Sequence, residues 1–259
     1  MNTFSEAAFG VHPERWPLPA ACTGVQHWQR AVVAGGQGRY ASAFADLEAT
    51  LRWPGTLQRA SLASSTWASF LRQLGWHELA RGWDGRALAL AGADDEALAD
   101  ALIGLAADAL GVGRFALAER LLERARGTVD AAESKRLPVR LAWVRAELAM
   151  ATGRDVDAVR HAGRAVELAA HLDSVRHAVK SDVVSAAAAC CAGDLEQART
   201  IADRALLAAQ ESRLVPLTWA LACLLRDIGS ASLDADAVTA IRDDSAAWVR
   251  AQGGAWAKR

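Results

Sequence analysis

Two adjacent cysteines, Cys190 and Cys191, sit in the stretch CCAGDLEQARTIADRAL, and Cys223 follows some thirty residues later. Thiolates in such a group could hold a metal or cycle between thiol and disulfide. A structural zinc, however, asks for four ligands in tetrahedral geometry. The chain has no CxxC pair, and no histidine is placed to complete a set. Cys is also a good small filler where helices pack closely, so buried or half-buried thiols are the expectation for Cys190, Cys191 and Cys223. Six histidines (His12, His27, His77, His161, His171, His177) are scattered, with no two at i, i+4. His171 and His177 flank LDSVR and read as loop residues. The acidic pairs Asp94–Asp95 and Asp243–Asp244 fall at apparent loops or exposed faces, and Glu133, Lys135 and Arg136, just before Pro138, read as a solvated linker. No phosphate loop, no GxGxxG behind a strand, no GxSxG and no HExxH is present. These side chains give no reason to expect an enzyme, and no cofactor or metal is expected.

The elements that carry these residues repeat. Six glycines, Gly38, Gly75, Gly113, Gly153, Gly193 and Gly229, recur every 36 to 40 residues. Seven residues before each stands an alanine: Ala31, Ala68, Ala106, Ala146, Ala186, Ala222. Five residues after the first five glycines stand Ala43, Ala80, Ala118, Ala158 and Ala198; twelve after come Thr50, Ala87, Ala125, Ala165 and Ala205. The segments between, such as LPVRLAWVRAELAMAT, are rich in helix formers with helical periodicity. Glycine closes each first helix because it tolerates the left-handed conformation, and a second helix follows. Facing alanines let two backbones approach closely. A single hairpin of this kind cannot bury its apolar face alone, so it must stack on the next.

Composition agrees with a folded helical array. Apolar residues make up 52% of 259, and 29 basic residues nearly balance 30 acidic ones, for a net charge of −1. That balance offers no bulk attraction to nucleic acid or an anionic membrane. No run reaches the ~18–20 apolar residues of a membrane span, and the N-terminal sequence lacks the basic start and apolar core of a signal peptide. Cytoplasmic placement is the expectation. Alanine and arginine are abundant and only three lysines occur, the usage of a GC-rich bacterial genome.

With its small residue in the first helix, glycine at the turn and alanines in the second helix, the chain resembles the tetratricopeptide repeat (TPR) family. The aromatic that the family places two residues after the glycine is Tyr40 in the first repeat and Phe115 in the third; His77, Asp155 and Leu195 stand there in the others. The resemblance implies an all-α, right-handed α-solenoid of about five helix-turn-helix repeats over 25–229, with an extended N-terminal segment at 1–24 and a C-terminal capping helix and tail at 230–259. Leu233, Val238, Ile241, Trp248 and Val249 could give that last helix one apolar face, for capping or for a homodimer contact.

The family's concave groove is lined by first helices. Positions ten, six and three residues before each glycine map to that face, with a further inward position near each helix start. The mapping points to Trp28, Trp143 and Trp219, to Val32, Glu147 and Cys223, to Arg72 and Arg226, and to Arg140 and Lys180. Aromatics and arginines are favoured binding anchors. The family's carboxylate-clamp pattern is absent, since Trp28 and Val32 stand where it would begin. The expected function is a non-catalytic module that binds a peptide or protein segment in the groove. The alternative is a ligand- or peptide-sensing regulator acting with a DNA-binding partner, because 1–24 leaves no room for a DNA-binding domain ahead of the array. No direct nucleic-acid or membrane contact is expected.

Overall fold

All six marking glycines adopt positive φ, from +68° at Gly153 to +88° at Gly75. In the first five the residue after the glycine donates its amide back to a carbonyl five residues earlier, as in Arg39 to Ala34 at 2.8 Å and Arg154 to Ala149 at 2.9 Å. This is the closure expected of a helix ended by a left-handed residue, and it starts the next helix at a fixed angle.

The computed structural model describes residues 3–257, which hold thirteen α-helices and no strand. A short helix, α1 (Thr3–Phe9), precedes five hairpins: α2 (Gly24–Gly36) with α3 (Tyr40–Arg52), α4 (Leu57–Gln73) with α5 (His77–Ala91), α6 (Asp95–Gly111) with α7 (Phe115–Ala131), α8 (Arg136–Ala151) with α9 (Asp155–Ala170), and α10 (Val175–Cys191) with α11 (Leu195–Glu211). A last pair, α12 (Val215–Ile228) and α13 (Ala235–Ala251), follows. The first helices pack on one another in order, α2 to α12, and form the inner layer; the second helices form the outer one. The protein is therefore a TPR-like α-solenoid. None of its described helices is long and apolar enough to cross a membrane.

The alanine columns are where the layers touch. All six alanines before the glycines, and all those five and twelve residues after them, are wholly buried, with Thr50 nearly so. Adding methylenes at such contacts costs about 1–3 kcal/mol each. Pro138 and Pro216 lie in the first turns of α8 and α12, where a missing amide hydrogen does no harm. Asp94, read above as a loop residue, caps α6 by accepting the Ala97 amide at 2.8 Å.

The ends differ from the expectation. Within 1–24, residues Thr3–Phe9 are helical rather than extended; Phe4 is buried, and Ala7 and Ala8 pack against Val32 and Val33. The C-terminal part does more than cover the last hairpin. Val238 and Ile241 join the core of α10–α12, while Val249 enters the core of α2–α4. Beyond α13, the Ala41 amide donates to Gln252 (2.9 Å), Trp76 Nε1 to Ala255 (2.6 Å), and Ala257 to Leu74 (2.8 Å). Arg39 lies between the rings of Trp16 and Trp248, and Trp248 Nε1 donates to Gln37. At the other edge the Val175 amide donates to Gly10 at 3.3 Å. The solenoid thus closes on itself, last pair against first. Of the apolar side chains expected on the last helix, Val238 and Ile241 cap the last hairpins and Val249 serves the closure, while Leu233 and Trp248 stay partly exposed.

Candidate ligand cavity

Closure turns the concave face into a cavity of about 380 Å³. Seven of the ten residues mapped to the groove line it: Trp28, Val32, Arg72, Arg140, Trp143, Glu147 and Lys180. Trp219, Cys223 and Arg226 do not. Trp219 packs on Trp256 of the tail, ring centroids 4.4 Å apart; Cys223 is half-buried; Arg226 is exposed and pairs with Asp227. The reason is superhelical drift. In α4 the cavity meets mainly the C-terminal half (Ser69, Gln73), in α8 mainly the N-terminal half (Arg136, Arg140, Trp143), in α10 the first two turns (Arg176, His177, Lys180) and in α12 only the first turn (Pro216, Leu217). A fixed offset from each glycine therefore leaves the cavity by the last pair.

Several residues at the cavity were missed. Arg136, read as part of a linker, opens α8 and binds Glu96 (3.1 Å) and Asp100 (3.3 Å). His177, read as a loop residue, is 3% exposed. Its ring stacks on Trp143 at 5.5 Å and hydrogen-bonds Ser174 Oγ at 2.7 Å. Burial first, then the nearby Arg176, Arg136 and Arg140, push its pKa well below the usual value, so the imidazole stays neutral. Phe9 lines the cavity from α1, and the Arg176 guanidinium lies over its ring. The signal that could have found Arg136, Arg176 and His177 was the helix start itself: each lies in the first turn of an inner helix.

Ion pairs run along the walls. The Arg72 guanidinium lies against Asp84 and 2.9 Å from Asp108, two carboxylates with no exposed side-chain surface. Burial raises Asp84 to about 7 and raises Asp108 as well, with Arg72 opposing both. Arg140 binds Asp100, which Arg136 shares, and Lys180 pairs with Glu147 at 3.1 Å. Trp28 Nε1 donates to Thr66 and Trp143 Nε1 to Ser181, both at 2.9 Å. Each tryptophan thus bridges to the next inner helix while showing its ring to the cavity. No disulfide joins the four cysteines, and no cluster of metal-ligating side chains occurs among the described residues.

No family model matches the chain, and neither does any curated protein. Solved structures do share its fold. A Rap protein complexed with competence and sporulation factor aligns with a TM-score of 0.66 at 12% identity, over 90% of this chain and 66% of that one. NprR in complex with its cognate peptide NprX aligns at 0.64 and 16%, over 86% and 66%. Aspartyl phosphate phosphatase F from Bacillus subtilis aligns at 0.52 and 13%, over 91% and 74%. The chain spans just under two thirds of the first two. At these identities the likeness is one of fold.

Proposed function

We propose that the chain is a non-catalytic, peptide-binding regulatory module whose ligand sits in the concave cavity and whose partners read its bound state. The observation that carries this is the cavity itself: it is lined by inner helices of every hairpin, so an occupant would touch the whole array at once. Its volume lies near the lower end of the ~300–1,000 Å³ typical of ligand pockets, which favours a short ligand. Two of the similar structures support the reading, since one is a complex with a cognate peptide and the other a complex with a named factor.

Catalysis has little to work with at these walls. The Ser–His hydrogen bond near the cavity, Ser174 to His177, joins the buried N-cap residue of α10 to the third residue of the same helix. Ser174 does not line the cavity, and among the described residues no carboxylate hydrogen-bonds the ring to orient it as a base. Binding is tested by titrating the purified chain with a library of short peptides and following tryptophan fluorescence, with Ser69→Phe as the blocked control. Ser69 lines the cavity and is only half-buried. Binding that survives Ser69→Phe unchanged would place the ligand elsewhere.

A further inference from the structure

The cavity is chemically lopsided. Trp28, Val32, Ile103 and Leu217 give it apolar surface, whereas the N-terminal ends of α8 and α10 bring three guanidinium groups, Arg136, Arg140 and Arg176, to the lining. Two carboxylates answer them. Glu96 and Asp100 bind Arg136, and Asp100 also takes Arg140. Arg176 has no carboxylate within ion-pairing distance among the described residues; one face of it is covered by the Phe9 ring. Lys180 and Glu147 cancel each other. Elsewhere on the cavity lining, Ser65 Oγ and His77 Nδ1 are buried without a hydrogen-bond partner. Buried polar groups are satisfied as a rule, and a guanidinium with its donors unused is a fork suited to a planar carboxylate.

We infer that the cavity takes a small amphipathic carboxylate, its apolar body against Trp28, Ile103 and Leu217 and its carboxylate at Arg176, beside Arg136 and Arg140. This rests on the cavity being the ligand site. Like-charge crowding supports it: burial and the neighbouring arginines push Arg140 and Arg176 down to about 10, and an arriving anion relieves that repulsion. The same chemistry is offered by a free apolar acid and by the C-terminus of a short apolar peptide.

The test uses ligand-observed nuclear magnetic resonance on the full chain. The probes are 4-phenylbutyrate, its amide, the tripeptide Ala-Leu-Phe and the C-terminal amide of that tripeptide. The acid of at least one pair should bind roughly tenfold or more tighter than its amide, the scale of a hydrogen bond to a charged group. Arg176→Gln should abolish that preference while Arg176→Lys keeps part of it, and Ser69→Phe should remove binding. The pair that shows the preference identifies the source, free acid or peptide terminus. Equal binding of acids and amides, all lost in Ser69→Phe, overturns the carboxylate inference and leaves the cavity as the site. No binding, or binding indifferent to Ser69→Phe, overturns the cavity reading and this inference with it. The acid–amide comparison on the unmodified chain stands whether or not a variant folds.

Discussion

Replacing Arg72 with methionine isolates the buried ion cluster. Arg72 donates to Asp84, to Asp108 and, at 3.4 Å, to the Gly104 carbonyl. Its removal leaves two carboxylates with no exposed side-chain surface and without the cation that bonds them both. Breaking a buried charge pair from one side costs about 3–5 kcal/mol. For a chain of this size that is a fall in melting temperature of roughly 10 °C. The loss should depend on pH. In the parent protein burial already holds Asp84 at about 7 and raises Asp108, so the folded state binds protons that the unfolded chain releases. Stability from these groups is present at low pH and falls as pH rises from about 4 to 7. Without Arg72 both carboxylates rise further, and the fall extends above neutrality. Arg72→Met should therefore lose more at pH 8 than at pH 5, measured by urea unfolding at both. Adding Asp84→Asn and Asp108→Asn should restore most of the loss. A penalty below about 1 kcal/mol at pH 8, or one equal at the two pH values, would refute the reasoning.

Other outcomes follow from the same contacts. A chain ending at 251 loses the bonds from Gln252, Ala255 and Ala257 to the first two hairpins; X-ray scattering should show a larger radius of gyration, and an unchanged one would mean the tail does not hold the ring closed. Asp46, nearly buried, accepts from Arg30 at 2.6 and 2.7 Å and contacts His27 at 2.8 Å. Asp46→Ala should cost about 3 kcal/mol in chemical denaturation. Gly82 lies inside α5 with open space around it, so Gly82→Ala should stabilise by about 0.5–1 kcal/mol. By contrast, Gly75→Ala, at φ +88°, should destabilise by about 1 kcal/mol or more; equal effects would contradict the turn assignment.

The repeat was legible because its signals are local. A glycine with positive φ and alanines at fixed offsets from it imprint the same spacing in the five hairpins, and the structure buries the alanine columns without exception. The aromatic column was less instructive: Tyr40 is buried, but Phe115 and Leu195 are exposed, because the tail laid over the first two hairpins does not reach theirs. The cavity was legible from α2 through α8 and blurred beyond, where the drift of the superhelix moves the inner face toward the helix starts. Arg176 and His177 fell outside a mapping built on offsets from glycines. Closure left no trace in periodicity. Contacts such as Gly10 with Val175, or Leu74 with Ala257, join residues more than 160 positions apart.

That closure also fixes a number. Open helical arrays can lengthen by duplicating a unit, since each new hairpin needs only its neighbours. Here the tail must land on Leu74 and Trp76, and Gly10 must meet Val175. One more hairpin would rotate and translate the last pair away from the first, and one fewer would leave it short. A lineage carrying this architecture can vary the walls of its cavity by point substitution, but it cannot count its repeats freely.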